Sequence, residues 1–116
     1  MTGAELRDAV AALGFTSELP DDEGFIQSAN LAMLRLRTLI PTGDESPKPV
    51  SYDNLGEQLP IAPELSEAAV LLVAYYVWLE DDAQKAAAYR AEYDYAVAQI
   101  MRRRKVEHTE ITTNNW

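Results

Sequence analysis

The chain has 116 residues, 47% of them hydrophobic and 25% charged, proportions that fit one soluble domain with a modest core and exclude a second full domain. It has no cysteine, which excludes a disulfide framework, a thiolate nucleophile and a cysteine metal site, so stability has to come from packing or from partners. With 10 basic and 19 acidic residues the net charge is −9, which disfavours nonspecific binding of nucleic acid or of an anionic membrane by the surface as a whole.

The opening Thr2-Gly3-Ala4-Glu5 has the spacing of a capping box, and a first helix is expected from Gly3 to Leu13 with Leu6, Val10 and Leu13 on its apolar face. Gly14 stands where a left-handed cap residue is wanted. Glu5 and Asp8 leave no unbroken apolar leader, so no signal peptide is expected and the protein is expected to stay in the cell that makes it. After a short connection, Asp21 or Asp22 can cap a second helix, whose face is written by Phe25, Ile26, Ala29, Ala32, Met33, Leu36 and Ile40 and which ends before Pro41.

Between Pro41 and Pro63 lie five of the six prolines, together with Gly43 and Gly56, which excludes continuous helix. The result is a long extended connection, with a brief strand possible over Val50–Asp53. Val50, Tyr52, Leu55, Leu59 and Ile61 make it too apolar for a plain linker. It either packs back on its own helices or lies across a neighbouring subunit, since long loops in small domains tend to be functional or disordered.

Pro63 suits the first turn of a third helix running to Leu79, apolar nearly all round and therefore the expected centre of the core. Its apolar run, Ala68–Leu79, is 12 residues long, short of the roughly 18 that suggest a membrane span. Asp81 or Asp82 can cap a fourth helix that carries Ala86, Tyr89, Tyr93, Val97, Ile100 and Met101 on one face, antiparallel to the third. The helical pattern stops at residue 105, so residues 106–116 read as an extended, non-helical tail. The expected fold is all-α: a bundle of about four helices spanning residues 1–105, with the extended loop over 41–60.

No catalytic pattern is present. The five glycines stand singly, none ahead of a Lys-Ser or Lys-Thr pair, so no phosphate loop is formed. His108 lies beside Glu107 and Glu110, a set that can hold a metal in principle, but ordering a flexible tail costs entropy, which favours plain solvated residues. The clusters Asp21-Asp22-Glu23 and Glu80-Asp81-Asp82 invite divalent-metal chemistry, yet each stands at a helix start, where carboxylates cap free amides. No enzyme, cofactor or metal site is expected.

Arg102-Arg103-Arg104-Lys105 is the one basic block. It can touch phosphates or an acidic partner, or it can mark a helix C-terminus, where cations offset the dipole. Residues 1–67 carry a net −8 and residues 68–116 a net −1. The adjacent Tyr75 and Tyr76 cannot both face one way on a helix, so one side of the third helix is expected to meet an oligomer partner.

The stretch Tyr52-Asp53-Asn54-Leu55-Gly56-Glu57-Gln58-Leu59-Pro60 leading into Pro63-Glu64-Leu65, the run Leu71–Leu79, and Asp81-Asp82 with Lys85–Tyr89 resemble the head-to-tail connector proteins of long-tailed bacteriophages, also called adaptor or head-completion proteins. The resemblance covers residues 20–105 and rests on a pattern of elements without a catalytic signature. It implies a helical subunit of a twelve-fold ring, assembled in the bacterial host cytoplasm and placed at the head-tail junction of the virion. Its implied partners are the portal protein, the next neck or tail-completion protein, further copies of itself, and DNA passing through the channel without sequence-specific binding; no membrane is implied. Portal contacts would come from Arg102, Arg103, Arg104, Lys105, Ile111 and Trp116, and subunit contacts from Tyr52, Leu55, Leu59, Tyr75, Tyr76 and Trp78. Two other classes remain open: a stopper or tail terminator, and an acidic helical regulator that mimics DNA.

Overall fold

A computed structural model describes residues 1–14, 19, 22–44 and 46–114, with side chains for all of these except 22 and 107–114. Its elements are α1 (Gly3–Leu13), α2 (Asp22–Leu39), short 3-10 turns at Tyr52–Asn54 and Pro63–Leu65, α3 (Ser66–Trp78) and α4 (Ala83–Asn114). Among the described residues there is no strand, only an isolated bridge between Thr2 and Gln58. The architecture is the all-α bundle that the sequence pattern predicts.

The capping box of α1 forms as expected. The Thr2 hydroxyl accepts from the Glu5 amide at 3.1 Å, and the Glu5 carboxylate accepts from the Thr2 amide at 3.2 Å. Leu6 and Val10 are fully buried. Gly14 follows α1 but is not left-handed, its φ being −82°, which corrects the expected cap. A Cβ at this position would lie 2.4 Å from Cζ2 of Trp78, so glycine is required by the close approach of an indole.

On α2, Phe25, Ala29, Ala32, Met33, Leu36 and the following Ile40 are buried and Ile26 is half-buried, the face read from the sequence. The cap expected from Asp21 or Asp22 lies outside the described residues and side chains. Asn30, on α2, holds the long connection against the bundle: its Oδ1 accepts from the Val50 amide at 2.8 Å and its Nδ2 donates to the Val50 carbonyl at 3.0 Å. The connection also meets the N-terminus, through Ala4 N–H to Leu55 O at 2.8 Å and Leu59 N–H to Met1 O at 2.9 Å. Val50, Leu59 and Ile61 are buried by this chain alone. Of the two expectations for the loop, packing on its own helices is the one realised, and a 3-10 turn at Tyr52–Asn54 replaces the possible strand.

Pro63 opens the 3-10 turn that leads straight into α3. Ala68, Ala69, Leu71, Leu72, Val73, Ala74 and Trp78 are buried there, and α3 packs against α1, α2 and α4. It is the central helix, as its apolar surround requires. The Asp82 carboxylate then accepts from the Lys85 amide at 3.1 Å and caps α4, which returns antiparallel along α3 with Ala86, Tyr89, Tyr93 and Ile100 buried.

α4 does not end at residue 105: it continues through residues 106–114, correcting the expected non-helical tail. The chain from Ala83 to its end contains neither glycine nor proline, so nothing local stops the helix. The loss of an apolar face signals only that the helix leaves the core. Ile100 is the last buried side chain described, and the 14 residues beyond it to Asn114 extend about 20 Å. The molecule measures 54 × 32 × 19 Å.

Candidate functional site

Three surfaces bear on function: the acidic turn between α3 and α4, the basic stretch of α4, and the aromatic and apolar patches on its flanks. In the turn, Glu80, Asp81 and Asp82 are all exposed, and Asp82 is engaged as the α4 cap. Among the described residues, no group of three or more His, Asp and Glu side chains is placed to hold a metal. The side chains of Glu107, His108 and Glu110 lie outside the described set, as does Asp21.

Arg102, Arg103, Arg104 and Lys105 are exposed on α4. Because the helix runs on for nine residues past Lys105 to Asn114, these cations are not at its C-terminus, and the dipole reading, which holds only for the last turn, does not apply. At 100° per residue the four cations surround the helix. Arg104 turns back to the body and donates to the Glu64 carboxylate at 2.9 Å. The block therefore sits where the helix leaves the bundle, as a cationic collar rather than a stripe. Ile111 lies in the helical extension, with its side chain undescribed, and Trp116 lies outside the described residues.

The six residues expected at a subunit interface separate into two groups. Leu59 and Trp78 are buried in the chain's own core, at 8% and 6% exposure, so they present no surface to a neighbour. Trp78 packs on Tyr89 at 6.0 Å between ring centres, and the Lys85 ammonium sits 4.6 Å from its centroid while donating to the Gly14 carbonyl. Tyr52 is exposed, and Leu55, Tyr75 and Tyr76 are half-buried.

Tyr75 and Tyr76 belong to a cluster that joins three helices. Their rings lie 5.4 Å apart, and the Arg90 guanidinium stands 5.3 Å from the Tyr75 ring and 5.7 Å from the Tyr93 ring. Arg90 pairs with Asp94 at 3.4 Å. Arg35 of α2 faces the same cluster, and its interaction with the Tyr76 hydroxyl raises its already high pKa. Burial pushes the Tyr93 hydroxyl up, partly opposed by the nearby Arg35 and Arg90 charges. Tyrosine and arginine are the residue types that dominate binding hot spots.

Two features were missed in the sequence pattern. Leu31 and Leu34 are 54% and 58% exposed on the outward side of α2, and the signal was available, since both fall off the Phe25-to-Ile40 face at 100° per residue. The other is a cleft of about 910 Å³ between the end of α1, the first turns of α3 and the middle of α4. Val70, Leu71 and Ala96 line it, Tyr95 is a strongly exposed lip, and Glu67 and Glu92 add carboxylates. Its formation depends on three chain segments meeting, which no local pattern announces.

No described helix is long and apolar enough to cross a membrane. Comparison of the chain with protein-family models, with curated proteins and with solved structures finds no match.

Proposed function

We propose that the chain is a structural, non-enzymatic virion protein of a long-tailed bacteriophage, a subunit of a ring that docks on the portal, joins the DNA-filled head to the tail and extends the DNA channel. The observation that carries this is the α4 projection, which presents Arg102, Arg103 and Lys105 exposed at the edge of the bundle with a helical extension beyond them. A helix stem with a cationic collar suits insertion against an acidic partner surface, since a segment already helical has less ordering cost to meet on binding. The all-α order of elements is the one the connector resemblance implies. The net charge of −9 suits a channel wall that repels DNA and lets it slide.

On this reading the partners are the portal protein, the next neck protein, neighbouring copies, and transiting DNA. Tyr52, Leu55, Tyr75 and Tyr76 remain candidates for subunit contacts, while Leu59 and Trp78 serve the core. A stopper or tail terminator has less support, because such proteins are richer in strands and the described residues form none. An acidic DNA mimic needs one continuous carboxylate face, whereas Glu92 and Asp94 stand on opposite flanks of α4.

The decisive experiment is electron microscopy of a lysate from a phage carrying an early nonsense mutation in this gene. Separate heads and free tails are expected, and intact tailed particles would refute the proposal. A second test isolates the carrying residues: Arg102→Glu with Arg103→Glu, leaving the Arg104–Glu64 pair intact, is expected to abolish portal docking without loss of helicity. Unchanged docking would remove the collar from the interface.

A further inference from the structure

We infer that copies of this chain associate head to tail, with the exposed leucine stripe of α2 on one copy seated in the cleft along α4 of the next. This deepens the ring proposed above by naming its contacts, and rests on that reading only for its biological setting.

The first surface is a convex helix face. Leu31 and Leu34 project from α2 at 54% and 58% exposure, with Gln27 and Thr38 exposed on the same side. Beyond Glu23 the helix carries no acidic residue, and its cations Arg35 and Arg37 stand on the two edges of this stripe. The second surface is concave and apolar, with the exposed Tyr95 on its lip and carboxylates from Glu67 and Glu92. An amphipathic helix laid in an apolar groove is a recurring recognition mode, with anchors at i, i+3 and i+4.

Charge and spacing select one direction. Along α2, Glu23 and Arg35 are 12 residues apart, and along the cleft wall Glu92 and Arg103 are 11 apart, which correspond to about 18 and 16.5 Å. Laid antiparallel, the Arg35 end of α2 meets Glu92 and the Glu23 end meets Arg103. Leu34 then falls beside residues 91 and 92, and Leu31 beside Tyr95 and Ala96. The parallel arrangement sets like charges against each other.

The two surfaces are different and lie apart on one molecule. Arg35 of α2 lies within electrostatic range of Asp94, which stands on one flank of α4, while the cleft opens on the flank that carries Glu92, Tyr95 and Gln99. A contact between unlike surfaces leaves one of each unused on every pair, so association propagates and closes into a ring where the rotation allows. The α4 extension takes no part and stays available to another partner.

The cysteine-free sequence makes oxidative cross-linking a clean test on the full chain. Leu34→Cys and Ala91→Cys are both at exposed positions, and far-UV circular dichroism checks that each variant keeps its helicity. Mixed and oxidised, the two variants are expected to form the unlike-site dimer about tenfold faster than either forms a like-site dimer alone, because association raises the local thiol concentration. The rate should fall at high salt, which screens the paired charges. A chain carrying both substitutions should give a ladder of higher oligomers. Faster coupling of Leu34→Cys to itself points to a two-fold contact and overturns the proposal, and so do equal rates in mixed and unmixed samples. Leu34→Cys with Gln99→Cys reports the opposite direction and should be slower. None of these readouts involves the portal or a phage, so a failed virion role and a failed self-contact are separately visible.

Discussion

Gly14→Ala tests whether the junction between α1 and the α3–α4 hairpin is governed by backbone conformation or by space. With φ at −82° and ψ at 2°, alanine fits the backbone without strain, and the lost freedom of the unfolded chain alone would stabilise the fold by about 0.4–1 kcal/mol. The steric term opposes this. The new Cβ would stand 2.4 and 2.5 Å from Cζ2 and Cη2 of Trp78, where ordinary contact begins at 3.4 Å. The indole cannot swing away freely, since it is 6% exposed, faces Tyr89 and is covered by Lys85. Overpacking of this kind costs about 1–3 kcal/mol, so the net expectation is a loss of about 1–2 kcal/mol. Urea unfolding followed by far-UV circular dichroism measures it. The same substitution in a Trp78→Leu background should be neutral or stabilising, because the clash is gone. A coupling near zero between the two positions, or a Gly14→Ala chain as stable as the parent, would refute the account.

Asn30→Ala leaves the Val50 amide and carbonyl without the partners that Asn30 gives them, at about 1–3 kcal/mol for each buried group left unpaired; hydrogen exchange should accelerate in residues 46–61, and unchanged protection there would show that the loop is held by other means. Thr2→Ala removes one half of the capping box and should cost about 1 kcal/mol, read from the shift in urea midpoint. Burial raises the pKa of Tyr89 and of Tyr93, so the folded chain holds these protons more tightly than the unfolded one. Stability should therefore be insensitive to these groups below about pH 10 and fall as pH climbs through the folded-state values. Tyr93→Phe should lessen that alkaline loss, and an identical alkaline profile would assign it elsewhere.

Most of the bundle could be read from the sequence because helix faces are local patterns. The 3.6-residue period placed Phe25 through Ile40 and Ala86 through Ile100 on buried faces, and Thr2 with Glu5 marked the start of α1. Where the pattern misled, the governing contact was distant in sequence or the signal meant something narrower. Gly14 has the position of a cap residue, but its reason is an indole 64 residues further on. Apolar residues in the 41–63 connection look alike whether a neighbour or the chain itself buries them; Asn30 decides it, and a lone asparagine on a helix announces nothing. The helical pattern stops at residue 105 in the sequence, yet α4 runs on to Asn114, because helix continuation depends on the local chain rather than on burial.

The way the core is closed bears on how assembly would proceed. Among the described residues no buried side-chain nitrogen or oxygen lacks a hydrogen-bond partner, and Leu59 and Trp78 are already covered. Among the described residues a neighbour therefore completes no buried polar contact. Seating the exposed halves of Leu31 and Leu34 would contribute about 1 kcal/mol each, against an association cost of at least about 4 kcal/mol in lost translational and rotational freedom. The two leucines alone do not carry the self-contact, so the apolar lining of the cleft and the paired charges have to supply the rest, and the contact is modest between free copies. It strengthens when a template holds neighbours close, because the same contact acts at a high effective concentration. On the connector reading the α4 extension would supply that template contact, and ring closure would follow docking rather than precede it. The order is visible in the cross-linking experiment: addition of portal rings should accelerate coupling of the mixed Leu34→Cys and Ala91→Cys chains, and Arg102→Glu with Lys105→Glu in both, at exposed positions outside the cleft lining, should cancel the acceleration without changing the rate in free solution.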